Sequence, residues 1–157
     1  MPYGSASVDT FNTSTGQVFS PASSSATMKN RIINGDHRID QRNAGNTVTV
    51  SASTQTYITD RFSILTTASG SKVTAQQNAG SVTPPPGFSN YLGITSSSAY
   101  TAGASELFRL FHTIEGYNIA DLAWGTSSAK PITISFWARS SLTGNFGICL
   151  QIGRAHV

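Results

Sequence analysis

Five side chains carry the chemistry that this sequence offers to a ligand: Glu115, Tyr117, Asp121, Trp124 and Trp137. The first four form the only local grouping of carboxylates and aromatic rings. In lectin-like sites, rings stack on sugar C–H faces and carboxylates accept hydrogen bonds from sugar hydroxyls. The grouping therefore predicts a candidate glycan or partner contact. The alternative is a loop in which Trp124 plugs one end of the fold, since Trp is more often buried than exposed.

The histidines and the cysteine lack the spacing of a catalytic or metal site. His37 and His112 stand alone, and the sequence has no HExxH, CxxC, GxSxG, P-loop or GxGxxG pattern. A histidine on a strand, such as His112, is more often half-buried and structural than a general base. The single cysteine, Cys149, excludes an internal disulfide. We expect no enzymatic activity, no cofactor and no metal.

Asp36 and Asp40 are the only carboxylates with a spacing that could suit calcium. Some β-sandwiches hold a calcium ion between such residues and backbone carbonyls. Hydrogen bonds within the turn, or ion pairs with Arg38 and Arg42, are the simpler interpretation.

Composition points to a β protein with a neutral surface. Only 11% of the 157 residues are charged, against roughly 25% in an average soluble domain. The net charge of +3 comes from scattered basic residues rather than a clustered stripe. This pattern disfavours a nucleic-acid partner. No apolar run is long enough for a membrane span, and the first residues do not form a secretory signal.

The elements that must position these side chains are strands. The clearest run is residues 131–139, where Ile132, Ile134 and Phe136 share one face and Trp137 lies on the other. This period of two predicts a strand with one face in a core. Residues 107–115 alternate similarly and predict a second strand. Weaker patterns predict strands at residues 47–50, 56–65, 72–77 and 91–95.

Turn signals separate these segments, and only one short helical stretch is predicted. Asn-Gly, Asn-Ala-Gly and Pro-Pro-Pro-Gly clusters can each reverse the chain, because Gly and Asn tolerate positive φ and Pro fixes φ. Residues 118–124 could form one or two helical turns. Residues 1–28 form a Ser/Thr-rich segment, interpreted as a flexible linker or attachment segment; the alternative is a pair of irregular edge strands around Phe11 and Val18.

Several segments together resemble a family of phage and prophage tail-associated proteins. They are residues 28–35 (MKNRIING), 39–45 (IDQRNAG), 57–62 (YITDRF), 114–116 (IEG), 122–130 (LAWGTSSAK) and 132–144 (ITISFWARSSLTG). Phe62 stands where the family usually has Trp. Residues 152–157 (IGRAHV) resemble a translated sequencing adapter, so residues 151–157 are interpreted as an artefact and the reading frame as truncated there.

The resemblance implies an all-β, jelly-roll type β-sandwich over residues 29–150, similar to carbohydrate-binding modules and incomplete at its C-terminus. It further implies a non-catalytic structural or adhesion module of a tail fibre or related tail protein that contacts host surface glycans. The expected partners are other tail subunits, as a homotrimer, and the expected location is the virion tail after synthesis in the host cytoplasm without a signal peptide. The alternative is a carbohydrate-binding module of a secreted bacterial protein or of a depolymerase fibre.

Overall fold

Two three-stranded antiparallel sheets form the framework of the protein. A computed structural model describes residues 29–153, together with the backbone of residues 11–12 and 18–19. The six strands are β3 (Val48–Thr49), β4 (Thr56–Tyr57), β5 (Phe62–Thr66), β6 (Val73–Gln77), β7 (Leu92–Ser96) and β8 (Phe108–His112). Sheet I has the order β3–β6–β7, and sheet II has the order β4–β5–β8. The all-β expectation is therefore confirmed.

A small apolar core joins the two sheets. Val50, Ile58, Ile64 and Ala75 are buried together, and Val48, Val73 and Leu92 pack against them. Because these side chains come from both sheets and from the segments beside them, the core lies between two layers. Its small size means that few side chains hold the layers together.

The other sequence patterns locate their strands, none of which extends more than one residue past a predicted end. β3, β6 and β8 lie inside the predicted segments, and β7 extends one residue past residues 91–95. The segment 56–65 divides into β4 and β5 around a tight turn, and β5 extends one residue past it. In that turn the Phe62 N–H donates to Thr59 O and the Ile58 N–H donates to Phe62 O, at 3.0 Å each. Residues 118–124 were predicted as a short helix, and a 3₁₀ helix spans Gly116–Leu122.

The strand predicted most clearly from the sequence does not form in this structure. Residues 131–139 have no regular secondary structure and join neither sheet, and every side chain from 131 to 150 is exposed. Their period of two is real, but a strand also needs a neighbour that supplies hydrogen bonds and a face to cover. No strand in the described residues does so here.

Residues 29–46 form an irregular segment that wraps around the β4–β5 turn. Asn34 is its central residue, since its side-chain amide donates to Ile39 O at 2.8 Å and to Asp60 O at 2.9 Å. Asn34 and His37 both have positive φ, at 58° and 51°. Asp40 accepts the N–H groups of Asn43 and Gly45, as expected for turn hydrogen bonding.

Two short strands lie near the N-terminus. β1 (Phe11–Asn12) pairs with β2 (Val18–Phe19) in an antiparallel ladder. These four positions match the edge-strand alternative, while the remainder of residues 1–28 and residues 154–157 lie outside the described part of the chain. None of the helices in the described part has the length and apolar character needed to span a bilayer.

Candidate functional site

The structure separates the predicted contact residues rather than gathering them. Glu115 and Asp121 each bind a different arginine. The Arg61 guanidinium donates from Nη2 to Glu115 Oε1 at 2.6 Å. Arg31 binds Asp121 through two bonds, Nη1 to Oδ1 at 2.7 Å and Nη2 to Oδ2 at 2.5 Å. The two carboxylates thus serve separate ion pairs.

The Arg31–Asp121 pair is structural. The Arg31 side chain is only 15% exposed, and it also donates to Asn118 O. It therefore ties the start of the described chain to the Gly116–Leu122 turn, 90 residues away in sequence. The hydrogen bond and charge of Arg31 lower the pKa of Asp121 to about 2, so this carboxylate is ionised in neutral solution.

The aromatic members of the predicted contact have three different environments. Tyr117 is 93% exposed. Trp124 is half-buried, and its indole N–H donates to Lys130 O at 2.9 Å, within the same loop. Trp137 is 70% exposed on the unpaired segment. The structure does not bring these rings together around one ligand position.

A polar cleft does form on the outer side of sheet II. It has a volume of about 180 Å³ and is lined by Arg42, Tyr57, Asp60, Arg61, Ser63 and Thr113. Tyr57 and Ser63 are cross-strand partners in β4 and β5, so their side chains lie on the same sheet face. The Ser63 side chain lies on the sheet face opposite to that of its neighbours Phe62 and Ile64, whose side chains face the core.

Two arginines frame this cleft. The Arg42 Cζ atom lies 4.8 Å from the centroid of the Tyr57 ring, a cation–π distance. Arg61 has a φ of 74° in the β4–β5 turn, immediately before β5, a backbone conformation that is unfavourable for a residue with a side chain. Its Nη2 donates both to Thr113 O, at 3.1 Å, and to Glu115.

Glu115 does not line the cleft itself, but it accepts a hydrogen bond from Arg61, which does. The hydrogen bond from Arg61 lowers the pKa of the Glu115 carboxyl, and the Asn118 side-chain amide donates to its other oxygen at 3.1 Å. Arg61 Nε is enclosed and has no acceptor among the described residues. The cleft thus presents guanidinium and hydroxyl donors, carboxylate acceptors and one aromatic ring.

The two histidines flank Phe62 on the opposite, core side of sheet II. His37 lies 4.4 Å from the Phe62 ring centroid and His112 lies 4.8 Å from it. His37 Nδ1 is 3.1 Å from Thr59 Oγ1, and His112 Nε2 is 3.1 Å from Ile33 O. Burial lowers the pKa of His37 to about 4 and also lowers that of His112. Both rings pack against Phe62 and bond to loop residues.

The possible calcium ligands do not converge. Asp36 pairs with Arg38 at 3.3 Å, while Asp40 accepts backbone N–H groups of its own turn. Across residues 29–153, no group of three or more His, Cys, Asp or Glu side chains has an arrangement that could hold a metal ion.

No family model, curated protein or solved structure matches the chain.

Sequence reasoning missed most of the cleft. It identified Glu115 but not Arg42, Tyr57 or Arg61, which come from three separate loops and strands. The segment YITDRF, residues 57–62, carries a signal for Tyr57 and Arg61, because its Asp-Arg pair interrupts a strand pattern. Such a polar pair between two strand-like stretches indicates a tight turn, and Arg61 of this turn lines the cleft.

Proposed function

We propose that this chain is a non-catalytic adhesion module of a phage tail fibre or related tail protein, and that the Arg42–Arg61 cleft contacts host surface glycans. The two-layer all-β fold is compatible with the jelly-roll sandwich of the proposed family. The segments that resemble that family run through the turn bearing Arg61 and through residues 114–116, which border the cleft. A tail location further predicts that peptides of this chain occur in purified virions.

The observation that carries the glycan proposal is the mixed chemistry of the cleft. Arg42 and Arg61 supply planar sets of donors, Asp60 supplies acceptors, and the exposed Thr113 hydroxyl does both, whereas Ser63 is buried and accepts a hydrogen bond from Gln55 Nε2. Sugar hydroxyls also donate and accept, so such a lining can satisfy a sugar ring in several directions. The Tyr57 ring, which is 44% exposed, adds an apolar surface for the C–H face of the sugar.

The size of the cleft predicts weak binding at each site. At about 180 Å³, it is smaller than the roughly 300–1,000 Å³ of a pocket for drug-sized ligands. A cleft of this size suits one sugar residue rather than a long oligosaccharide. In a trimeric fibre, several such sites would act together, and avidity gains of about 10²-fold or more would compensate.

Glycan microarrays probed with the biotinylated full chain on streptavidin test this proposal. We expect binding to a restricted set of glycans and a loss of at least about tenfold for Arg42→Ala, because that change removes the charged guanidinium donors of Arg42 from the cleft. Arg38→Ala is the matched control, since Arg38 is an exposed arginine outside the cleft.

Two results would contradict the proposal. One is the absence of binding to any glycan by the multivalent wild-type chain. The other is equal loss in the Arg42→Ala and Arg38→Ala variants, which would indicate that general positive charge rather than the cleft causes binding.

A further inference from the structure

Arg42 is the arginine of the cleft whose charge is left uncommitted. Arg61, by contrast, donates from Nη2 to Glu115 Oε1 at 2.6 Å. Within residues 29–153, the Arg42 guanidinium donates no hydrogen bond and pairs with no carboxylate. Its contact in the cleft is with the Tyr57 ring, 4.8 Å from the ring centroid. Because a guanidinium carries five N–H donors in one plane, Arg42 offers a full set of donors to a ligand.

The backbone on both sides of Arg42 is bonded to the β4–β5 turn and its strand. The Gln41 N–H donates to Asp60 Oδ2 at 2.6 Å, and the Asn43 side-chain amide donates to Tyr57 O at 3.2 Å. The Cα atom of Arg42 is therefore held beside the cleft before any ligand arrives. Binding then has to order the Arg42 side chain alone, which keeps the entropic cost of binding low.

Asp60 restricts which anions the cleft can accept. It lines the cleft together with Arg42, and its Oδ1 atom accepts no hydrogen bond from the described residues, since the Gln41 N–H uses Oδ2. The two arginines are matched by two carboxylates, those of Asp60 and Glu115, so the four side chains carry no net formal charge. A densely charged anion would meet repulsion from these carboxylates. One carboxylate on Arg42, with a neutral donor facing Asp60, would satisfy both side chains.

We propose that the cleft selects an acidic sugar, whose single carboxylate binds the Arg42 guanidinium and whose neighbouring hydroxyl or acetamido N–H donates to Asp60. This inference rests on the proposed glycan-binding function and names the class of sugar, which includes the uronic acids. Arginine binds a carboxylate through two parallel N–H···O bonds, and such charge-assisted bonds are stronger than bonds between neutral groups. A neutral sugar can enter the same cleft, but it lacks this ion pair.

Oligosaccharides of uronic acids and their carboxyl-reduced counterparts test this inference, because the members of each pair differ in the carboxylates alone. Biolayer interferometry with the biotinylated full chain on streptavidin measures the affinity for oligomers of galacturonate, glucuronate and mannuronate. We expect at least one acidic oligomer to bind about tenfold or more tightly than its reduced counterpart, a difference of about 1.4 kcal/mol. Dextran sulfate is the control for general charge attraction, and its binding should be equal in wild type and Arg42→Gln.

Three variants separate the guanidinium of Arg42 from positive charge elsewhere. Arg42→Gln should reduce the affinity for the acidic oligomer to that for its reduced counterpart. Arg42→Lys, which keeps the charge and loses the planar set of donors, should retain part of the preference. Arg38→Gln is the matched control, since Arg38 is exposed and lies outside the cleft lining, and it should retain all of it. Arg42 is exposed too, so each variant should keep the urea midpoint of the wild type.

The outcomes distinguish this inference from the proposed function. Equal affinity for acidic and reduced oligomers, with both lost in Arg42→Gln, would overturn the acidic-sugar inference and leave glycan binding by the cleft intact. An acidic preference that persists in Arg42→Gln would also overturn it, because the preference would then arise outside the cleft. Absence of binding to every glycan, neutral or acidic, would contradict the proposed function itself and this inference with it.

Discussion

His37 shows how a single residue links packing to pH dependence. Its ring packs against Phe62, near His112 on the other side of that ring. Burial is the main cause of its lowered pKa, the charge of His112 lowers it further, and the Asp36 carboxylate opposes the shift. The folded protein therefore keeps His37 neutral under conditions in which the unfolded chain would protonate it.

Acidification should destabilise the protein through His37. The pKa is 6.5 in the unfolded chain and about 4 in the folded protein. Between these values the unfolded state binds more protons, so the free energy of unfolding decreases as the pH falls from 6.5 to 4. We expect a loss of about 1–2 kcal/mol, less than the full shift implies because solvent reaches part of the ring.

Urea unfolding at pH 7 and pH 4.5 measures this effect. His37→Gln should lose less stability between the two pH values than the wild-type protein. Part of the dependence remains in the variant because the pKa of His112 is lowered too. Equal losses in the two proteins would show that His37 does not couple folding to protons.

At the scale of elements, the sequence predicts strands better than it predicts their partners. The alternating pattern of residues 107–115 correctly places β8, whose inward-facing residues pair with those of β5. The pattern of residues 131–139 is stronger, yet that segment remains unpaired. Periodicity depends on local sequence, whereas pairing requires a neighbouring strand that local sequence does not specify.

The cleft was harder to predict for a similar reason. Arg42, Tyr57 and Thr113 are far apart in sequence, and only the fold brings them to one face. The positive φ of Arg61 depends on the β4–β5 turn, and turn geometry follows from the register of β4 with β5. Glu115 was predicted because it lies beside other polar and aromatic residues in sequence, but its role as the partner of Arg61 depends on tertiary structure.

β7 should be sensitive to a single added methyl group. A Cβ atom at Gly93 would lie 2.5 Å from Ala79 Cβ and 3.3 Å from its backbone. Ala79 begins a short 3₁₀ helix, Ala79–Ser81, that follows β6, so Gly93→Ala must move β7 away from this helix. We expect a destabilisation of about 1–3 kcal/mol, the range for overpacking, measured as a lower urea midpoint.

Matched variants show whether that contact is the cause. Gly116→Ala adds the same methyl group where no atom lies within 4 Å, so it should change stability little. Adding Ala79→Gly to Gly93→Ala removes the closest contact and should restore part of the loss. Equal midpoints for Gly93→Ala and Gly116→Ala would contradict the close packing of β7 on the 3₁₀ helix.

At the scale of the whole molecule, two three-stranded antiparallel sheets share one small apolar core. Ile58 and Ile64 are buried in that core, whereas Leu110 of β8 is 47% exposed and Ile94 of β7 is 49% exposed. The polar cleft lies on the face of sheet II opposite to Ile64.

The central claim, multivalent contact with surface glycans, predicts how the chain binds whole cells. Flow cytometry of a panel of bacterial strains with the labelled chain, as a monomer and on streptavidin, measures it directly. We expect the multivalent form to bind responsive strains at least about tenfold more strongly than the monomer. Periodate oxidation of the cell glycans and the Arg42→Ala change should each abolish that binding, whereas Arg38→Ala should retain it. Binding that survives both periodate and Arg42→Ala would contradict the claim.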